Sequence, residues 1–175
     1  MSPSLTVRRI AADQGAVLLE LRNASLRDVP HAFGDLPGDT LSADTSVCNA
    51  AAERHAVSRD STTFILYTEG YPAGLVGAAF ESAAPRRAFV FALWVAPAVR
   101  HLRGGELLVN TAGRWLANEG ATQIYAWVPD TNVTAKRFYE RLGFAPAGER
   151  IRSSDAEDQW ATLLMRDAPH ASPSA

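Results

Sequence analysis

The run from Ala88 to Val95, AFVFALWV, limits the fold more than any other part of the chain. It has almost no polar face, so as a strand it must lie centrally in a sheet and be covered on both sides. A sheet covered on both sides needs helices above and below it. The 175 residues suffice for one such core and are too few for two ordinary domains. Hydrophobic residues at 47% and charged residues at 21% favour neither a disordered nor a fibrous chain. One domain is therefore expected over residues 1–166, with the Pro, Ser and Ala rich residues 167–175 as a frayed tail.

The remaining elements follow from periodicity and punctuation. Leu5 to Ile10 alternates as an edge strand, and Asp13 stands as an N-cap before Val17, Leu18, Leu21 and Leu26 at helical spacing. Asp28 to Asp44 suits a loop or broken helix, and a second helix is expected over 46–58. Thr62 to Thr68, a turn at Glu69 to Pro72 and a strand from Gly74 to Glu81 form a hairpin. Pro85 to Arg87 then turns the chain into the apolar strand. Leu108, Ala112, Trp115 and Leu116 mark a third helix that ends at Gly120, and Gln123 to Val128 is a strand. Ala135, Phe138, Tyr139 and Leu142 form one stripe of a fourth helix closed by Gly143. Strands over 144–151 and 159–165 complete an α/β (α+β) fold, a mixed and mostly antiparallel sheet of about seven strands.

Charge and cysteine narrow the partners. A net charge of -2 provides no basic excess for nucleic acid. The opening MSPSLTVRR lacks a secretory apolar stretch, and no run of about 18 apolar residues occurs, so a cytoplasmic location without membrane contact is expected. The single cysteine, Cys48, has no His or Cys nearby at metal spacing, so it is expected to be a buried or idle thiol, and no metal is expected.

Two segments carry chemistry. Val95 to Leu108 reads VAPAVRHLRGGELL and runs from the buried strand into a helix. Backbone amides and the positive end of a helix dipole at such a place can hold a pyrophosphate, with Arg100 adding a forked contact. Taken alone, the segment fits a plain strand-to-helix turn equally well. Asn132 to Phe144 reads NVTAKRFYERLGF and follows the next strand. Together the two resemble the acetyl-CoA signature of the GCN5-related N-acetyltransferase (GNAT) family. Asn132, Ala135, Tyr139, Gly143 and Phe144 fall in register with its second motif, and Leu21 to Leu36 looks like its first helix and loop.

The resemblance implies an N-acyltransferase with acetyl-CoA as co-substrate. The backbone of Leu93, Trp94 and Val95 would pair with the pantetheine arm beside a gap between two strands. Arg100, His101, Leu102, Arg103, Gly104, Gly105 and Glu106 would surround the pyrophosphate. Asn132 would bond the arm or cap its helix, with Ala135 and Phe138 beside it. Tyr139 would act as general acid toward the leaving thiolate. Glu81 is the preferred base toward the amine, ahead of Glu69 and Asp130, with an already neutral amine or a water chain as the alternative. His31 and His55 are expected to be surface or packing residues.

One position departs from the family. Arg103 stands where the first loop glycine is usual, so a positive φ there would cost roughly 1 kcal/mol and turn the side chain off the loop. Arg103 is expected to bind phosphate itself; the alternative is a donor carried as phosphopantetheine on an acyl carrier protein. The acceptor is expected to be a primary amine of a small molecule, with a peptide or protein amine as the alternative. A non-catalytic CoA-binding module is disfavoured by the presence of both Asn132 and Tyr139. Asp28, Asp35, Asp39 and Asp44 can attract a cationic amine or simply be solvated. A homodimer is the expected assembly.

Overall fold

A computed structural model describes residues 2–29, 44–152 and 159–171. His31, Asp35 and Asp39 lie outside these residues, as does the end of the tail. The elements run β1 (Leu5–Arg9), α1 (Gly15–Asp28), α2 (Thr45–Val57), β2 (Ser61–Thr68), β3 (Tyr71–Phe80), β4 (Ala88–Val95), a 3-10 turn (Pro97–Leu102), α3 (Gly104–Asn118), β5 (Gln123–Pro129), α4 (Val133–Arg141), β6 (Ala145–Arg152) and β7 (Trp160–Asp167). The seven strands form one sheet in the order β1-β2-β3-β4-β5-β7-β6, with β4 and β5 the parallel pair and the other neighbours antiparallel.

Capping accounts for several boundaries. α1 starts at Gly15 with Gln14, not Asp13, at the cap position and no side-chain capping bond; Gln14 Oε1 accepts instead from Ala11 N at 2.9 Å, before the helix. Asp44 caps α2, its Oδ1 accepting from Ser46 N at 2.8 Å and Val47 N at 3.2 Å. β3 begins at Tyr71, ahead of the expected Gly74, since Glu69 and Gly70 at φ 48° and 83° make a two-residue hairpin turn. β7 runs to Asp167 and Ala168 N donates to Thr122 O at 2.9 Å, so the tail's first residues pack with the sheet.

Each face of the sheet carries helices. On one, Leu108, Val109, Ala112 and Leu116 of α3 and Tyr139 of α4 pack with Val76, Val90, Ile124, Ala126 and Val128. On the other, Leu18 and Leu21 of α1 and Cys48, Ala51 and Ala52 of α2 pack with Ile65, Tyr67, Leu75 and Trp94. Cys48 is buried, with Arg22 3.5 Å from its sulfur. His55 is a packing residue whose Nδ1 lies 2.9 Å from Thr63 Oγ1. Burial, reinforced by Arg54, Arg22 and Arg9, pushes its pKa down to about 4.

β4 is central, yet it is not buried along its whole length. It pairs with β5 only through Ala88↔Ile124 and Phe89↔Tyr125, and then the two strands part. Against β3 the register slips between Leu75 and Gly77, where Ala92 takes φ 51° and β4 bulges. Phe91, Ala92 and Leu93 are consequently half-exposed in the middle of a strand whose ends are buried. Among the described residues, no helix is long and apolar enough to cross a membrane.

Candidate active site

The parting of β4 and β5 opens a cavity of about 1040 Å³. Val95, Gly105, Asn132, Ala135, Phe138 and Tyr139 line it on the side of α3 and α4. Ala126 and Val128 point to that side, so Trp127 between them belongs to the other face of the sheet, and it too lines the cavity. Phe89 and Phe91 join Trp127, giving the cavity an aromatic part.

The loop before α3 explains its own sequence. Arg103 has φ 63° and ψ 26°, the left-handed conformation inferred for the missing glycine, and it is the N-cap of α3. Its side chain turns back along the helix, where the guanidinium meets Glu106 Oε2 at 2.6 Å and remains 80% exposed. At Gly104 a Cβ would stand 2.5 Å from Leu66 Cδ2, and at Gly105 one would stand 3.3 Å from the Phe138 ring. The first turn of α3 is thus packed closely onto β2 and α4, and its first amides have no intrahelical partner, with Gly105 and Glu106 on the cavity wall.

Asn132 caps α4, its Oδ1 accepting from Ala135 N at 3.0 Å. The cap occupies Oδ1 and not the Nδ2 donor, so capping and a ligand contact are compatible. Tyr139 is buried, packed edge-on between Phe138 and Phe144 at centroid distances of 5.2 and 5.1 Å. Arg100 donates from Nε to Val95 O at 2.9 Å and from NH2 to Asp28 Oδ2.

Of the residues expected in the site, Leu93, Trp94, Val95, Arg100, Arg103, Gly105, Glu106, Asn132, Ala135, Phe138 and Tyr139 line one cavity. His101 and Leu102 belong to the 3-10 turn outside the lining, and Gly104 is buried against Leu66.

Glu81, the expected base, stands apart from the cavity. Arg87 grips both of its oxygens at 3.0 Å. Those bonds hold its pKa below the usual carboxylate range, which is the wrong direction for a base. Asp130 is likewise held low by Thr162 and Arg150, and Glu69 accepts from Ser4 N. Residues not anticipated in the lining include Val29, Thr134 and Arg141. The last two share the stripe of α4 that carries Ala135 and Phe138, a signal available from helical spacing. Among the described residues, no group of three or more His, Cys, Asp or Glu is placed to hold a metal.

The family model described as acetyltransferase (GNAT) family matches residues 19–144. No curated protein matches the chain in sequence. The yncA protein of Salmonella typhimurium, solved with its cofactor acetyl-CoA, has a TM-score of 0.75 and 17% identity over 98% of this chain and 99% of that one. The Escherichia coli ribosomal-protein alanine N-acetyltransferase has a TM-score of 0.66 at 17% identity, over 98% and 99% of the two chains. Nourseothricin acetyltransferase is 28% identical over 63% of this chain and 66% of that one, with a TM-score of 0.56.

Proposed function

The chain belongs to the GNAT acetyltransferase family, and on that premise we propose that it transfers an acetyl group from acetyl-CoA to the primary amine of a small molecule within a ternary complex. The observation that carries this reading is the cavity between the parted strands, which joins the α3 N-terminus, Asn132 and Tyr139 on one side of the sheet to an aromatic pocket on the other.

The residues present suit acetyl-CoA. β4 has no strand partner beyond Phe89 on its β5 side, so backbone groups of Leu93, Trp94 and Val95 can meet the pantetheine arm as an added strand would. The amides of Gly104, Gly105 and Glu106 and the guanidinium groups of Arg100 and Arg103 suit a pyrophosphate. His101 and Leu102 shape the turn that carries them. The bound donor supplies an activated thioester carbonyl. Tyr139 delivers a proton to the departing sulfur, and its ring, fixed between two phenylalanines, needs no reorganisation to do so. With Glu81 locked to Arg87, the amine is taken up as its free base.

A small acceptor is favoured over a peptide because Phe89, Phe91 and Trp127 make a concave apolar wall, the kind of surface that encloses a small molecule. The named relatives span both classes, one acting on a ribosomal protein and one named for nourseothricin. The test is release of free thiol from acetyl-CoA across a panel of small primary amines and of peptides with free N-termini. Turnover with small amines is expected. Turnover confined to peptides would refute the acceptor class, and donor binding without any turnover would indicate a binding module.

A further inference from the structure

Asp28, the last residue of α1, does not line the cavity, but its partners do. Its Oδ2 accepts from Trp94 Nε1 at 2.9 Å and from NH2 of Arg100. Arg100 Nε donates to Val95 O, the last carbonyl of β4, at 2.9 Å. Trp94, Val95, Arg100 and Val29, the residue after Asp28, are all cavity wall. One carboxylate thereby fastens the end of α1, the end of β4 and the turn into α3 at a single corner. The bond from Trp94, then the Arg100 guanidinium, keep Asp28 ionised below the ordinary carboxylate range.

A guanidinium carries five N–H donors. The bonds to Val95 and Asp28 use Nε and NH2 and leave NH1 on a side chain that is 48% exposed at the cavity. We propose that Asp28 is a positioning residue of the donor site, holding Arg100 and Trp94 in the arrangement that receives the pyrophosphate and the adjoining arm of acetyl-CoA. The inference rests on the donor reading given above. Charge alone predicts the opposite sign, because a carboxylate near a polyanion repels it. Preorganisation favours binding, because fixing a long side chain beforehand removes an entropy cost from the binding step. The sign of the effect therefore decides between them.

Calorimetric titration with CoA and steady-state kinetics on the parent, Asp28→Asn, Arg100→Ala and the double variant test this. Asparagine keeps an oxygen for the Trp94 indole and removes the charge that holds Arg100. Asp28→Asn is expected to weaken CoA about 3- to 10-fold and raise the donor KM in step, with kcat at saturating donor within about 2-fold. Added to Arg100→Ala, it should cause no further loss. Arg100→Lys keeps the charge but cannot reach both Val95 O and Asp28 as a fork. It should reproduce the weakening, which gives a readout that does not depend on the Asp28 variant folding. Unchanged or tighter CoA binding by Asp28→Asn, or additive losses in the double variant, would overturn the assignment. A parent protein that binds no CoA would overturn the donor reading, and this inference with it.

Discussion

Replacing Arg103 by glycine separates what its backbone does from what its side chain does. At φ 63° and ψ 26° the Cβ is crowded, and removing it relieves about 1 kcal/mol. The greater freedom of glycine in the unfolded chain offsets part of that gain. The ion pair to Glu106 is lost as well, but with Arg103 80% exposed it contributes little. Arg103→Gly should therefore be as stable as the parent or more stable by up to about 1 kcal/mol, a melting rise of up to roughly 4 °C for a chain of this size. Arg103→Ala keeps the strain and loses the pair, so it should melt at or slightly below the parent. Donor affinity should behave differently. The guanidinium is already shared with Glu106, so its contact with phosphate should fall at the low end for a charged hydrogen bond, about 1.5 kcal/mol or roughly tenfold. Both variants lack the side chain, so both should weaken CoA alike. Scanning calorimetry gives the first quantity and titration calorimetry with CoA the second. A glycine variant that melts below the alanine variant would refute the backbone reading. Unchanged CoA affinity in both would leave the pyrophosphate to the backbone amides and Arg100.

Three further outcomes are expected. Tyr139→Phe keeps the packing between Phe138 and Phe144 and should lower turnover about 10- to 1,000-fold with little change in donor affinity; unchanged single-turnover rates would remove Tyr139 from the chemistry. Gly104→Ala pushes a methyl to 2.5 Å from the terminal Cδ2 of the fully buried Leu66, so stability should fall by about 1–3 kcal/mol, read by denaturant titration. His55 has a folded pKa of about 4 against an ordinary 6.5, so between these values the unfolded chain binds the extra proton. Its contribution is present above pH 6.5 and is lost as pH falls toward 4, on the order of 3 kcal/mol at full extent. Melting curves across that range should show the parent losing more stability than His55→Asn, and parallel curves would contradict the burial argument.

How much of this was legible beforehand depends on the range of the interactions. The helices α2 and α4 were set by local signals, since Asp44 and Asn132 are caps whose bonds close within three residues. Gly120 and Gly143 take φ 109° and 90° just past α3 and α4, where the sequence puts the helix ends. The register of Asn132, Ala135, Tyr139 and Gly143 holds because helical spacing alone brings the first three onto one cavity wall. The pairing of Glu81 is not legible in a strand-end pattern, because it depends on Arg87, which the intervening turn folds back onto it. Phe89, Phe91 and Trp127 escaped notice for a related reason: an apolar strand residue reads as core whether or not the neighbouring strand stays beside it.

The sequence by itself determined which segments form the sheet and helices, that AFVFALWV is the central strand, and which turn lies at the α3 N-terminus, because these rest on periodicity, capping and a motif spaced along one stretch of chain. The gap between β4 and β5 was implied by the family resemblance, and only the tertiary structure decided that it begins after two residue pairs, that Ala92 is driven to φ 51° without any glycine to announce it, and that Asp28 reaches across 72 positions to Arg100. Those features arise where distant elements compete for the same space and the same hydrogen-bond partners, and no local pattern encodes the outcome.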